Sequence, residues 1–262
     1  MQKISFYKYQ GAGNDFVLLD NRDGSFSNFS ISQITKLCDR HFGVGSDGLI
    51  FINHSENLDF EMDFYNPDGS KSFCGNGARC ATAFYSYLVQ KKGEFRFLAH
   101  DGIHSVFFHS EEQIRLKMAD VEQIKVLNDN CFELNTGSPH YVHFTTDIGS
   151  IDVQSEGSKV RYSEHYKEQG INVNFVEILK SDLIAIRTYE RGVENETLAC
   201  GTGITAAVLS YAKNVKLSGL HRIKVKAKGG DLLVEFQKDE FSFKNIYLEG
   251  PAEFVFKGEV YV

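Results

Sequence analysis

The sequence predicts an α+β fold of two pseudo-symmetric domains, each a curved, mostly antiparallel sheet wrapped around a central helix. Three observations lead there. A Cys-Gly-x-Gly element occurs twice, at Cys74-Gly75-Asn76-Gly77 and at Cys200-Gly201-Thr202-Gly203, 126 residues apart in a chain of 262. Short, turn-bounded apolar runs of strand length dominate the rest. The two helix-like runs that follow the cysteines, Ala78 to Gln90 and Ile204 to Lys213, are apolar on nearly every side. Such helices need burial on most faces, which a sheet curved around them supplies.

Along the first half, strands are expected at Phe16–Asp20, Leu49–Asn53, Phe60–Tyr65, Glu94–Ala99, Ile103–Phe108 and Gln113–Met118, with a hairpin turn at His100-Asp101-Gly102. Ser32 is read as the cap of a helix running to Arg40, and Gly93 as the stop of the helix after Cys74. In the second half the strand-like runs are Val173–Leu179, Leu183–Tyr189, Ile223–Ala227, Leu232–Phe236 and Phe241–Leu248, with a hairpin at Gly229-Gly230-Asp231. The boundary is expected between Met118 and Cys131. The organisation is therefore 1–118 plus 251–262, carrying Cys74, and 119–250, carrying Cys200; the last strand, Glu253 to Val262, returns to the first domain.

Composition narrows the function. The net charge is −7 and the acidic excess is spread along the chain, with no basic stripe, so nucleic acid is not an expected partner. No run approaches the ~18–20 apolar residues that span a bilayer, and no apolar signal region opens the chain, so the expectation is a cytoplasmic protein without a membrane partner. Five cysteines, an odd number without a CxxC pair, argue for reduced thiols and against a structural metal site.

The chemistry is concentrated at the two cysteines. A helix start leaves about four backbone N–H groups unpaired and carries about half a positive charge, which favours a thiolate there. The adjoining glycines let the backbone approach a bound anion. One such element supplies a base and an anion cradle; two at equivalent points of a duplicated fold suit inversion of a carbon centre, one thiolate removing a proton and one thiol returning a proton from behind. Cys38, Cys80 and Cys131 read instead as small buried hydrophobes.

In order along the chain, Gly11-Ala12-Gly13-Asn14-Asp15-Phe16, Gly43-Val44-Gly45-Ser46-Asp47-Gly48, Tyr65-Asn66-Pro67-Asp68-Gly69-Ser70, Cys74-Gly75-Asn76-Gly77-Ala78-Arg79-Cys80, Pro139-His140, Ile171-Asn172-Val173-Asn174-Phe175, Tyr189-Glu190-Arg191-Gly192 and Ala199-Cys200-Gly201-Thr202-Gly203 resemble the motifs of the diaminopimelate epimerases, over nearly the whole chain. The resemblance implies a cofactor-independent, metal-free interconversion of LL- and meso-2,6-diaminopimelate, with a small-molecule substrate and a homodimer. It implies Cys74 and Cys200 as the acid–base pair and His140 and Glu190 as residues that tune them. The reacting carboxylate is assigned to Gly75, Asn76, Gly201 and Thr202. Arg191 is the natural fork for the distal carboxylate; Asn14, Asn66, Asn172 and Glu190 complete the substrate contacts.

Each assignment has a plainer counterpart. Asn66 in Asn-Pro-Asp-Gly suits a turn, His140 a structural loop histidine, Glu190 a surface ion pair. Two departures stand out: Gly48 replaces a glutamine frequent in the family, and Ser138 an asparagine. A proline, hydroxyproline or histidine racemase on the same duplicated fold is the nearest alternative, and Arg191 argues against its monocarboxylate substrate. A phenazine-biosynthesis-type isomerase lacks the paired cysteines. A thiol redox module would not exchange an α-proton.

Overall fold

The computed structural model describes residues 3–262, and they fall into two compact units: residues 3–116 with Gly250–Val262, and Lys117–Glu249. Met118 lies in the second unit, where its N–H donates to Ile246 O at 2.9 Å.

In the first unit, β1 (Lys3–Gly11) and β2 (Asn14–Asn21) form a hairpin closed by Ala12 and Gly13, both at positive φ (52° and 86°). A short helix, α1 (Ile31–Cys38), crosses to β3 (Gly48–Asn53), which runs parallel to β2 and antiparallel to β4 (Phe60–Tyr65). The long helix α2 (Gly75–Val89) crosses to β5 (Gly93–Ala99), parallel to β4, and the antiparallel β6 (Gly102–Ser110) and β7 (Gln113–Lys117) follow. The last strand, which we number β17 (Glu253–Tyr261), lies antiparallel on β1.

The second unit repeats this order. The strands β8 (Lys125–Asn128), β9 (Cys131–Asn135) and β10 (Pro139–Thr145) are antiparallel neighbours. Helix α3 (Val153–Arg161) crosses to β11 (Asn172–Lys180), parallel to β10 and antiparallel to β12 (Leu183–Glu190). After the short β13 (Asn195–Thr197), α4 (Gly201–Asn214) crosses to β14 (Gly219–Ala227), parallel to β12; β15 (Gly230–Lys238) and β16 (Phe243–Gly250) complete the run. In topology β1 to β7 match β9, β10, β11, β12, β14, β15 and β16 in turn. Helices α1 and α2 match α3 and α4, and β17 on β1 matches β8 on β9. The duplication seen in two cysteine motifs therefore extends through both units.

The central helices are as buried as their composition demands. Ala78, Cys80, Ala81, Ala83 and Phe84 of α2 are sequestered, as are Ile204 and Ala206 to Leu209 of α4. Each large apolar side chain removed from water this way contributes about 1.5–3 kcal/mol. The outer helices close smaller cores: Ile34 and Leu37 of α1 pack on Val17, Leu19, Leu49 and Phe51, and Val153 of α3 joins Val173, Phe175 and Tyr189. At Gly157 a Cβ would sit 2.4 Å from Tyr189 Cβ, so only glycine lets α3 lie against β12.

Several local expectations are corrected. The cap of α1 is Ser30, not Ser32: Ser30 Oγ accepts from Gln33 N, and Gln33 Oε1 accepts from Ser30 N at 2.9 Å, a complete capping box. The helix ends at Cys38 because Asp39 turns extended and accepts from the His41 and Phe42 amides. Helix α2 stops at Gln90, in the left-handed region at φ 52° with its N–H on Ser86 O, while Gly93 opens β5. The Asp239 carboxylate binds the amides of Phe241 and Ser242 in a turn, so β16 starts at Phe243. The strands β1, β8, β9, β10 and β13 and the polar, glycine-containing α3 fall outside the sequence-based expectations.

Candidate active site

In the first unit the candidate residues gather at the start of α2. Cys74 is the N-cap residue, extended at φ −132° and ψ 116°, and its Sγ accepts from Gly77 N at 3.5 Å. The thiol thus sits on the helix end where amide hydrogens and the dipole favour negative charge. Asn76 of the first turn is buried; its Nδ2 donates to Asn14 Oδ1 at 2.6 Å, and Asn14 Nδ2 donates to Asp47 Oδ2 at 2.9 Å. Two sequence-expected substrate contacts, Asn14 and Asn76, are therefore joined.

This chain is anchored by charge. Asp47 and Asp15 share the Arg40 guanidinium at 2.7 and 2.6 Å, and Asp15 also meets the buried Lys8 ammonium at 2.6 Å. Burial alone would push Asp15 up, but its hydrogen bonds and attraction to Arg40 and Lys8 hold it down, at about 2. On the other side of Asn76, its Oδ1 accepts from Arg79 Nη2 at 2.8 Å, and Arg79 Nε donates to Pro251 O at 3.2 Å. Arg79 is fully buried, and among the described residues its Nη1 has no hydrogen-bond partner. Burial weakens its hold on the proton, and the neighbouring Cys80 and Cys74 sulfurs oppose that weakening.

Asn66 is engaged in its own turn. Its Nδ2 donates to Ser70 O, Ser70 Oγ and Ser72 Oγ at 3.0–3.2 Å, and Gly69 takes φ +85°. The position of Gly48 is filled by Phe64, whose Cε2 would lie 2.2 Å from an added Cβ, so the frequent glutamine has no room. Cys38 and Cys80 are buried, and burial pushes both thiols up, keeping them protonated.

In the second unit Cys200 is the N-cap residue of α4, at φ −109° and ψ 108°, with Sγ 3.5 Å from Thr202 Oγ1. Thr202 Oγ1 lies 2.9 Å from His140 Nε2, and Thr136 Oγ1 donates to Thr202 O at 2.8 Å. His140 is fully buried at the start of β10; burial, with repulsion from the Arg191 cation, pushes it down to about 3, so the imidazole is neutral. Ser138 Oγ is 3.1 Å from the same Nε2 and accepts from Asn172 Nδ2 at 2.7 Å. The hydroxyl that replaces an asparagine is thus bonded to both His140 and Asn172.

Asn172 also accepts from Arg191 N at 2.9 Å, fixing the backbone of the candidate carboxylate fork. Arg191 is exposed; its Nη1 donates to Gln169 O at 2.9 Å, and a Cβ at Gly170 would meet its Cδ at 2.5 Å. Glu190 is partly buried, accepts from Thr197 Oγ1 at 2.9 Å, and burial pushes its carboxyl up. Sequence reasoning missed Lys8, Asp47, Arg79, Thr136, Asn174 and Thr188. Asp47, Arg79 and Asn174 stand inside the motifs quoted above without an assigned role, and the Asn172-Val173-Asn174 spacing puts both amides on one side of a strand.

The second glycines of the two motifs differ in use. A Cβ at Gly203 would lie 2.4 Å from Asn174 Oδ1, whereas one at Gly77 would meet nothing nearer than Ile50 Cδ1 at 3.3 Å. Gly75 is looser still, with Leu116 Cδ2 at 3.5 Å, an ordinary contact.

Residues 6–124 and 132–255 match the family described as diaminopimelate epimerase. The chain is 45% identical to a diaminopimelate epimerase of Flavobacterium psychrophilum, covering 97% of this chain and 99% of that protein. It is 40% identical to one of Chlorobaculum tepidum, covering 95% and 98%. Among solved structures, a phenazine biosynthesis protein of Bacillus anthracis superposes over 100% of both chains with a TM-score of 0.75 at 15% identity, a likeness of fold alone.

Proposed function

The chain belongs to the diaminopimelate epimerase family, and on that premise we propose that it interconverts LL- and meso-2,6-diaminopimelate without a cofactor. A thiolate at one of Cys74 and Cys200 takes the α-proton at one stereocentre, leaving a carbanion and a thiol. The thiol of the other cysteine then gives its proton to the opposite face and becomes the thiolate. Reversal exchanges the two roles.

The observation that carries this reading is the equivalence of the two cysteines: each is the N-cap residue of the central helix at the same point of a duplicated topology. The backbone amides of the first turns, at Gly75-Asn76 and Gly201-Thr202, stand at helix N-termini and are suited to the reacting carboxylate, whose negative charge grows as the α-proton leaves. Arg191 takes the distal carboxylate, and Asn14, Asn66, Asn172 and Glu190 serve the zwitterionic ends. His140 and Glu190 tune the thiols.

The reading extends to a cytoplasmic homodimer with a place in lysine biosynthesis. For the dimer, support comes from β17, where Phe254, Val255 and Phe256 are each 44–52% exposed along one strand; a second copy covering them would remove that area from water.

The test is incubation of reduced, pyridoxal-free protein with LL-diaminopimelate, with proline and hydroxyproline in parallel. Formation of the meso isomer alone supports the reading. Racemisation of proline or hydroxyproline without turnover of diaminopimelate would transfer the assignment to a monocarboxylate substrate.

A further inference from the structure

We infer that Asn174 is a positioning residue that sets the tautomer of His140, and thereby aims the Thr202 hydroxyl hydrogen at Cys200 Sγ. One line of hydrogen bonds within the second unit connects these groups. Asn174 is fully buried on β11, between β10 and β12. Its Nδ2 lies 3.0 Å from Tyr141 O and 3.1 Å from His140 Nδ1. A backbone carbonyl only accepts, so the amide must present its NH2 on that side. Its Oδ1 correspondingly accepts from Thr188 Oγ1 at 3.0 Å, the cross-strand partner of Asn174.

With an N–H donor opposite it, His140 Nδ1 has to accept. A neutral imidazole carries a single hydrogen, which is then on Nε2. That hydrogen faces Thr202 Oγ1 at 2.9 Å and Ser138 Oγ at 3.1 Å. With its oxygen receiving from His140, Thr202 directs its own hydrogen to Cys200 Sγ, 3.5 Å away. A hydroxyl donating to sulfur favours the thiolate over the thiol. The opposite tautomer would turn Nε2 into an acceptor and draw the Thr202 hydrogen away from sulfur.

Gly203 belongs to the same device. A Cβ there would stand 2.4 Å from Asn174 Oδ1 and 3.3 Å from His140 Cε1. The second glycine of this motif is the space in which the amide sits. The catalytic consequence rests on the epimerase reading, but the tautomer does not.

The test is nitrogen-15 NMR of histidine-labelled protein without substrate, with the His140 signals assigned by loss in His140→Gln. The expected wild-type spectrum is a neutral ring protonated at Nε2 near neutral pH. A ring protonated at Nδ1, or at both nitrogens, overturns the inference without touching the epimerase assignment. In Asn174→Asp the carboxylate can only accept, so the proton is expected to move to Nδ1. An unchanged Nε2–H ring in that variant also overturns it. With the tautomer switched, turnover of LL-diaminopimelate is expected to fall by about 10- to 100-fold, the worth of one hydrogen bond to a charged group. Substrate KM should change less than kcat. Asn174→Asp with full kcat would remove the link to Cys200.

Discussion

Asn76 Nδ2 donates to Asn14 Oδ1 at 2.6 Å, which fixes the first turn of the Cys74 helix to the corner between β1 and β2. Asn76 Oδ1 is at the same time the acceptor for the buried Arg79 guanidinium. Asn76→Ala deletes both bonds, taking the acceptor from the buried Arg79 Nη2 and the donor from Asn14 Oδ1. The expected cost is about 2–3 kcal/mol, read as a lower urea midpoint at unchanged slope. A midpoint equal to wild type would mean that the turn is held by other contacts.

Arg79 places a cation inside the first unit, beside the Cys74 and Cys80 sulfurs, with no carboxylate among its hydrogen-bonded partners. Arg79→Met keeps the apolar stem and removes the charge. Alkylation of Cys74 by iodoacetamide at fixed neutral pH, mapped by peptide mass, is expected to slow several-fold. An unchanged rate would show that the helix start alone activates the thiol.

The motif glycines separate packing from chemistry. Gly203→Ala drives a methyl group into Asn174 and His140, so a stability loss of about 1–3 kcal/mol is expected together with loss of activity. Gly75→Ala meets only an ordinary contact with Leu116. It should unfold at nearly the wild-type midpoint yet lose turnover, because the methyl obstructs approach of the substrate carboxylate to the helix start. Thermal melts and initial rates on the two variants decide this.

Acid should weaken the first unit through Asp15. Its folded-state value, about 2, lies below the ordinary 3.8, so the unfolded chain takes up the proton first. The stability this carboxylate contributes is present above about pH 4 and is lost as the pH falls through about 2, in total about 2 kcal/mol. Urea midpoints across that window should show the slope in wild type and a flatter one in Asp15→Asn.

Legibility in the sequence followed the range of the forces involved. The central helices and their cysteine caps were visible because apolar content and glycine act locally. Helix α3 was hidden because Gly157, which fits it to Tyr189, reads as a breaker in isolation. The cap at Ser30 was missed by two residues although Ser30 and Gln33 carry the capping-box spacing. The partners of Asn174, Thr188 and Arg79 were out of reach for a different reason. The link from Asn174 to His140 depends on the parallel pairing of β10 with β11, and Arg79 reaches Pro251, 172 residues away. Nothing in a local pattern announces such partners.

The central claim is that two thiols act on opposite faces of one carbon. The most direct measurement is the isotope content of both isomers at early conversion of LL-diaminopimelate in deuterated water. Two bases predict meso product carrying one solvent deuterium at the inverted centre, with recovered LL substrate still protiated. Deuterium accumulating in the recovered substrate as fast as in the product would mean that one group both removes and returns the proton, and would contradict the account.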